Sequence, residues 1–128
     1  MEISGVVIQG DGYGKKLGYP TANIDRDQYV HEKIDLEYGI YAGLVTVHSS
    51  QEEYVAGIVI GPDDAQKLPK LEAHLIGYAG NLYGEMVTFR ISKYLRPFKE
   101  YRTEDDLKAD IKADLNNIMS LDVCSPES

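Results

Sequence analysis

The stretch GIYAGLVTVH at residues 39–48 alternates: Ile40, Ala42 and Leu44 fall on one face, Tyr41, Val45 and Val47 on the other. A period of two with β-branched and aromatic content marks a strand. The same reading extends outward. EYVAGIVIG at 53–61 sets Tyr54, Ala56, Ile58 and Ile60 together, and EMVTFRIS at 85–92 sets Val87, Phe89 and Ile91 against Thr88, Arg90 and Ser92. Residues 3–9 and 70–78 are shorter strand candidates. The AGN at 79–81 predicts a hairpin turn between the strands on either side of it. The last third changes period. Thr103 precedes Glu104, Asp105 and Asp106 as a capping box, and Leu107, Ile111, Leu115 and Ile118 then form an apolar helical stripe suited to packing on a sheet. Five or six strands followed by one helix, with no βαβ alternation, predict a small antiparallel barrel or sandwich.

Composition narrows the class. The chain has 128 residues, enough for one domain and one core. The domain is expected over residues 1–120, with its C-terminal helix at about 103–119 and a frayed tail at 121–128. Thirteen Lys and Arg against 21 Asp and Glu leave a net charge of −8, which argues against a nucleic-acid coat or a membrane-surface binder. The single cysteine, Cys124, cannot form an internal disulfide. No apolar run reaches membrane-spanning length, and the start lacks the basic region of a signal peptide. A soluble, reduced, cytoplasmic domain, taken as a monomer, is the expectation.

Four constellations carry chemistry. GDGYGKKLGYPTAN at 10–23 is glycine-rich, with Lys15 and Lys16 placed to meet a polyphosphate; its other reading is a surface turn. It fits neither a Walker A loop nor GxGxxG. Within it, Pro20-Thr21-Ala22-Asn23 alternates two side-chain oxygens, either as ligands for a hard cation or as local turn and cap bonds. In Lys70-Leu71-Glu72-Ala73-His74-Leu75-Ile76, alternation sends Glu72 and His74 to one face, as a general base with an ionisable neighbour or as a solvated surface. Arg90, Lys93, Arg96, Lys99 and Arg102 interleave with Tyr94, Phe98 and Tyr101, a local reversal of sign suited to a planar anionic ligand or to a guarded strand edge. No GxSxG or HExxH is present, and the lone cysteine lies in the tail, so transfer between bound substrates is the catalytic option.

In order, G-x-G-x-G-K-x-L-G, PTAN, Gly39-Ile40-Tyr41-Ala42-Gly43, Glu72-Ala73-His74-Leu75, Asn81-Leu82-Tyr83-Gly84 and Tyr94-Leu95-Arg96-Pro97 resemble the riboflavin kinase (flavokinase) family over residues 3–118. The resemblance implies an all-β fold with a C-terminal helix, a six-stranded antiparallel Greek-key β-barrel. It implies transfer of the ATP γ-phosphate to the ribityl 5′-hydroxyl of riboflavin, giving FMN and ADP, with Mg2+. Carried over, Glu72 is the catalytic carboxylate, and Thr21 and Asn23 hold the metal and phosphates. Gly10, Lys15, Leu75, Gly77 and Tyr83 contact the nucleotide, while Arg96, Lys99 and Tyr101 contact the flavin. Two departures bear on substrate positioning. Pro62-Asp63-Asp64-Ala65-Gln66 stands where the family carries an Asn-Pro or Pro-Thr-Phe element, and Phe98 and Tyr101 replace the Glu and Phe of R-x-E-x-x-F.

Many bacterial relatives add a nucleotidyltransferase domain, for which 128 residues leave no room; the alternatives are a stand-alone enzyme and an excised domain. Two other functions fit the same pattern: a non-catalytic flavin- or nucleotide-binding module, against which Lys15, Thr21, Asn23 and Glu72 argue, and a barrel binding single-stranded nucleic acid through 90–102.

Overall fold

The computed structural model describes residues 1–8, 21–63, 65–78 and 82–97, together with helical positions 109, 112, 113 and 116. Among these residues six strands and one short helix follow in order: β1 (Glu2–Ile8), β2 (Thr21–Ile24), α1 (Asp27–His31), β3 (Gly39–Val47), β4 (Glu52–Asp63), β5 (Pro69–Leu75) and β6 (Met86–Arg96). They close into a barrel in the order β1-β2-β5-β4-β3-β6, with every neighbouring pair antiparallel. Strands β3, β4 and β5 are successive neighbours and β6 returns beside β3, which is the Greek-key path.

The strands on either side of the expected hairpin at 79–81 do not pair with each other. These three residues lie outside the described set, but β5 pairs with β2 and β4 while β6 pairs with β1 and β3. The connection therefore crosses between non-adjacent strands. Turn chemistry marks where a chain reverses, whereas closure of the barrel decides which strands meet.

Alternation fills the barrel with one face of each strand. Phe89, Ile3, Ile24, Ile58, Ile60, Leu71, Val45 and Val87 are its largest fully buried side chains. β3 is buried on both faces: beyond the interior set, Ala42 and Leu44 form a second cluster with Val55, Ile76 and Leu95 on the outer wall. At the β3–β6 seam the register shifts between Ala42 and Gly43. A Cβ on Gly43 would stand 2.2 Å from the Arg90 carbonyl oxygen and 2.8 Å from Ile58 Cδ1, so only glycine admits this approach. Helical positions 109, 112, 113 and 116 share one exposed face; the predicted stripe at 107, 111, 115 and 118 and the tail at 121–128 lie outside the described residues.

β4 runs two residues beyond Gly61, through Pro62 to Asp63. Gly61 has φ +87°, and a Cβ there would lie 2.7 Å from the Tyr38 ring. The Tyr38 hydroxyl donates to the Asp63 carboxylate. That bond, more than burial, pushes the Tyr38 phenol up to about 12. The divergent 62–66 stretch is thus fastened at its start to the residue preceding β3.

Candidate active site

β2 and β5 lie side by side with Thr21 opposite His74, Ala22 opposite Ala73 and Asn23 opposite Glu72. Ala22 and Ala73 are fully buried inside the barrel. Strand alternation therefore sends Asn23, Glu72 and His74 to the outer wall, as the sequence predicts for Glu72 and His74. The pairings continue around the barrel: Ile8 lies opposite Asn23, Val59 opposite Glu72, Ile40 opposite Val59 and Arg96 opposite Ile40. One row crossing the strands thus carries Asn23 and Glu72 at one part and Arg96 at another. Three strand intervals separate positions 72 and 96, about 14 Å measured along the sheet from backbone to backbone, which is half the circuit of the six-stranded barrel. Among the described residues the barrel interior is filled by side chains.

Glu72 and His74 meet directly. Glu72 Oε1 lies 3.2 Å from His74 Nε2, with the side chains 17% and 10% exposed. A carboxylate accepts and does not donate, so a hydrogen bond at this distance requires the imidazole hydrogen on Nε2. The solvated-surface alternative for Glu72 is not what the wall presents.

The other expected site residues are distributed as follows. Leu75 is buried in the interior core. Gly77 has φ +83°, with no atom within 4 Å of where a Cβ would be, so its backbone is open to approach. Tyr83 is 63% exposed in the turn before β6. Arg96 is half-buried at the end of β6, where it donates to the Pro97 carbonyl at 3.3 Å. Gly10, Lys15, Lys99 and Tyr101 lie outside the described residues, as does the Thr21 side chain.

Sequence reasoning missed a groove of about 410 Å³ that begins at Ile8, on the row just described, and is lined further by Asp25, Arg26, Val30, Gln66 and Leu68. Arg26 builds it: one guanidinium nitrogen donates to the Pro69 carbonyl at 3.2 Å and the other to Gln66 Oε1 at 2.8 Å, tying the β4–β5 loop to α1. Asp25 accepts from the Val6 and Asp27 amides, at 3.1 and 3.2 Å. The Asp-Arg-Asp run at 25–27 was the available signal, but α1 itself has no apolar stripe to announce it.

The donor set fits a hard cation only in a particular way. Among the described residues no three His, Cys, Asp or Glu side chains come together as a metal site. Asn23, whose side chain carries a neutral amide oxygen, stands opposite Glu72 across the two strands, and a threonine stands at position 21. Such oxygens suit a cation whose remaining ligands are phosphate and water. No helix among the described residues is long and apolar enough to cross a membrane.

Comparison with known proteins accords with this geometry. The family model described as riboflavin kinase, Flavokinase, matches residues 1–121. The chain is 34% identical over 111 residues to a bifunctional riboflavin kinase/FMN adenylyltransferase of Mycoplasma pneumoniae, covering 87% of this chain and 39% of that one. It is 32% identical over 115 residues to the RNA-binding riboflavin kinase RibR of Bacillus subtilis, covering 89% and 48%. It thus spans less than half the length of these curated relatives. Its fold is similar to the crystal structure of riboflavin kinase from Trypanosoma brucei, with a TM-score of 0.70 at 23% identity, covering 98% of this chain and 81% of that one. A match that runs from the first strand past the helical positions, on a barrel of this topology, settles the family: the chain belongs to the riboflavin kinases.

Proposed function

We propose that the protein transfers the γ-phosphoryl group of ATP to the ribityl 5′-hydroxyl of riboflavin, releasing FMN and ADP. The observation that carries this reading is the register of β2 on β5, which seats Asn23 directly opposite Glu72 on the outer wall. Asn23 and Thr21 would hold Mg2+ together with the nucleotide phosphates. Bound there, the ion would offset phosphate charge and help align donor and acceptor. Both protein ligands are neutral, so affinity for the metal is expected to be weak without nucleotide.

Glu72 orients the 5′-hydroxyl and accepts its proton as the oxygen bonds to the γ-phosphorus and the bond to the ADP oxygen breaks. Its side chain is only 17% exposed, which limits water competing for that proton. Arg96, on the same row, meets the flavin with Lys99 and Tyr101, and the apolar Val59 and Ile40 lie between it and the carboxylate. Gly10, Lys15 and Tyr83 meet the nucleotide. Gly77 does so through its open backbone, and Leu75 through its main chain, since its side chain serves the core.

The test is product analysis: riboflavin, ATP and Mg2+ with wild type, with Glu72→Gln, and with EDTA. FMN formed by wild type, lost with EDTA and reduced at least about a hundredfold in the variant supports the assignment. Riboflavin bound without turnover overturns it in favour of a binding module. Because one relative is an RNA-binding kinase by name, a labelled-oligonucleotide shift belongs beside this assay; the reading expects none.

A further inference from the structure

Glu72 has two neighbours on its own strand face, Lys70 and His74, two residues away on either side. His74 alone is almost fully buried, at 8% exposure, and its Nε2 reaches Glu72 Oε1 at 3.2 Å. Burying an imidazole on an outer wall is unfavourable unless its polar atoms are used. Its Nε2 is spent on the carboxylate that the reading above makes the base. A glutamate reaches its substrate through three rotatable bonds, so its carboxylate plane is loosely defined without a fixed partner.

We propose that His74 is a positioning residue for riboflavin phosphorylation: its Nε2–H holds Oε1 and thereby sets the plane in which the Glu72 carboxylate receives the 5′-hydroxyl proton. The inference rests on the kinase reading. It goes beyond that reading in assigning His74 a role exerted through Glu72, not on the nucleotide or the metal. The register supports this placement, because His74 extends the Asn23–Glu72 pair by one further cross-strand step, opposite position 21. Loss of the contact frees the carboxylate without removing it, so turnover falls while substrate binding is retained. Misplacement of a reacting group by about 1 Å can lower a rate about a hundredfold.

The experiment compares kcat and KM for riboflavin in wild type, His74→Leu, His74→Gln, Glu72→Gln and the double variant Glu72→Gln/His74→Leu, with thermal midpoints measured for each. His74→Leu is expected to lower kcat about ten- to hundredfold with KM within about threefold. His74→Gln, whose amide NH2 lies near the Nε2 position, is expected to restore most of that loss. In the Glu72→Gln background the added leucine is expected to change kcat less than about twofold, because the group through which His74 acts is already gone.

Equal losses in the leucine and glutamine variants, or the same loss with and without Glu72, would make His74 a packing residue and overturn the proposal. If the leucine variant fails to fold, the glutamine variant decides: kcat near wild type at a native midpoint supports it, and a loss above tenfold overturns it. A wild type that makes no FMN overturns the kinase reading instead. The contact is then read by imidazole nitrogen NMR, where an Nε2-protonated His74 in wild type that changes tautomer in Glu72→Ala upholds the hydrogen bond, and no change refutes it.

Discussion

Replacing Gly43 with alanine places a methyl carbon 2.2 Å from the Arg90 carbonyl oxygen and 2.8 Å from Ile58 Cδ1, both inside the 3.0 Å limit that real Cβ atoms respect. The Ile58 methyl can turn away. The carbonyl belongs to the β6 backbone, so β3 and β6 have to separate by nearly an ångström at the seam where the register already shifts. Overpacking of this kind costs about 1–3 kcal/mol, and a backbone neighbour puts Gly43→Ala at the upper end, about 3 kcal/mol. For a domain of this length that is a fall in Tm of about 10–15 °C. Gly84→Ala is the internal control: φ is +84° and nothing lies within 4 Å of the new carbon. It is expected to lose only about 1 kcal/mol, from backbone strain. Urea unfolding followed by far-UV circular dichroism measures both, with no tryptophan available as a probe. A Gly43→Ala protein as stable as Gly84→Ala would refute the steric argument and, with it, the described approach of β6 to β3.

Other outcomes follow from the same structure. Phe89 is fully buried in the interior core, and Phe89→Ala is expected to cost about 3–5 kcal/mol by denaturant unfolding. The Tyr38 phenol is pushed up to about 12, first by its hydrogen bond to Asp63 and then by burial; Asp63→Ala is expected to bring its phenolate absorbance transition back towards about 10. A raised folded-state pKa stabilises below the unfolded value, so the advantage of wild type over Tyr38→Phe is complete below about pH 10 and disappears as pH rises through about 12. Asn23→Leu is expected to raise the Mg2+ concentration needed for half-maximal FMN formation at least about tenfold, with the fold intact by circular dichroism.

Much of the barrel was legible because alternation is a local property. Val87, Phe89 and Ile91 on one face, and Tyr54, Ala56, Ile58 and Ile60 on another, are readable from side-chain type and spacing, and these sets face the interior. Strand order was not legible from the residues alone. The AGN at 79–81 has the chemistry of a tight hairpin, but β5 and β6 are separated by half the barrel, and only closure of the sheet determines that. Likewise α1 escaped notice because five residues without an apolar stripe leave no period to detect. For the site, Glu72 and His74 shared a face by simple counting. Their 3.2 Å contact and low exposure depend on β2 and β4 standing on either side, which no local window contains. The groove beside Ile8 is invisible for the same reason: Arg26 reaches forty residues ahead to Gln66 to form it.

The partnership of β1 with β6 sets an order for synthesis. β1 emerges first from the ribosome, but one of its two neighbours begins at Met86, and Ser4 hydrogen-bonds across that seam to Thr88 at 2.7 Å. Until β6 is made, both β1 and β3 display an open row of peptide groups, a template for pairing with other nascent chains. The central β3–β4–β5 meander can assemble as soon as it is exposed, since its contacts are close in sequence. A stall in translation that leaves β5 but not β6 outside the ribosome would therefore hold the chain with two unguarded edges. A codon or temperature change that prolongs that state is expected to send more of the protein into inclusion bodies than the same delay once β6 has emerged and the seam can close.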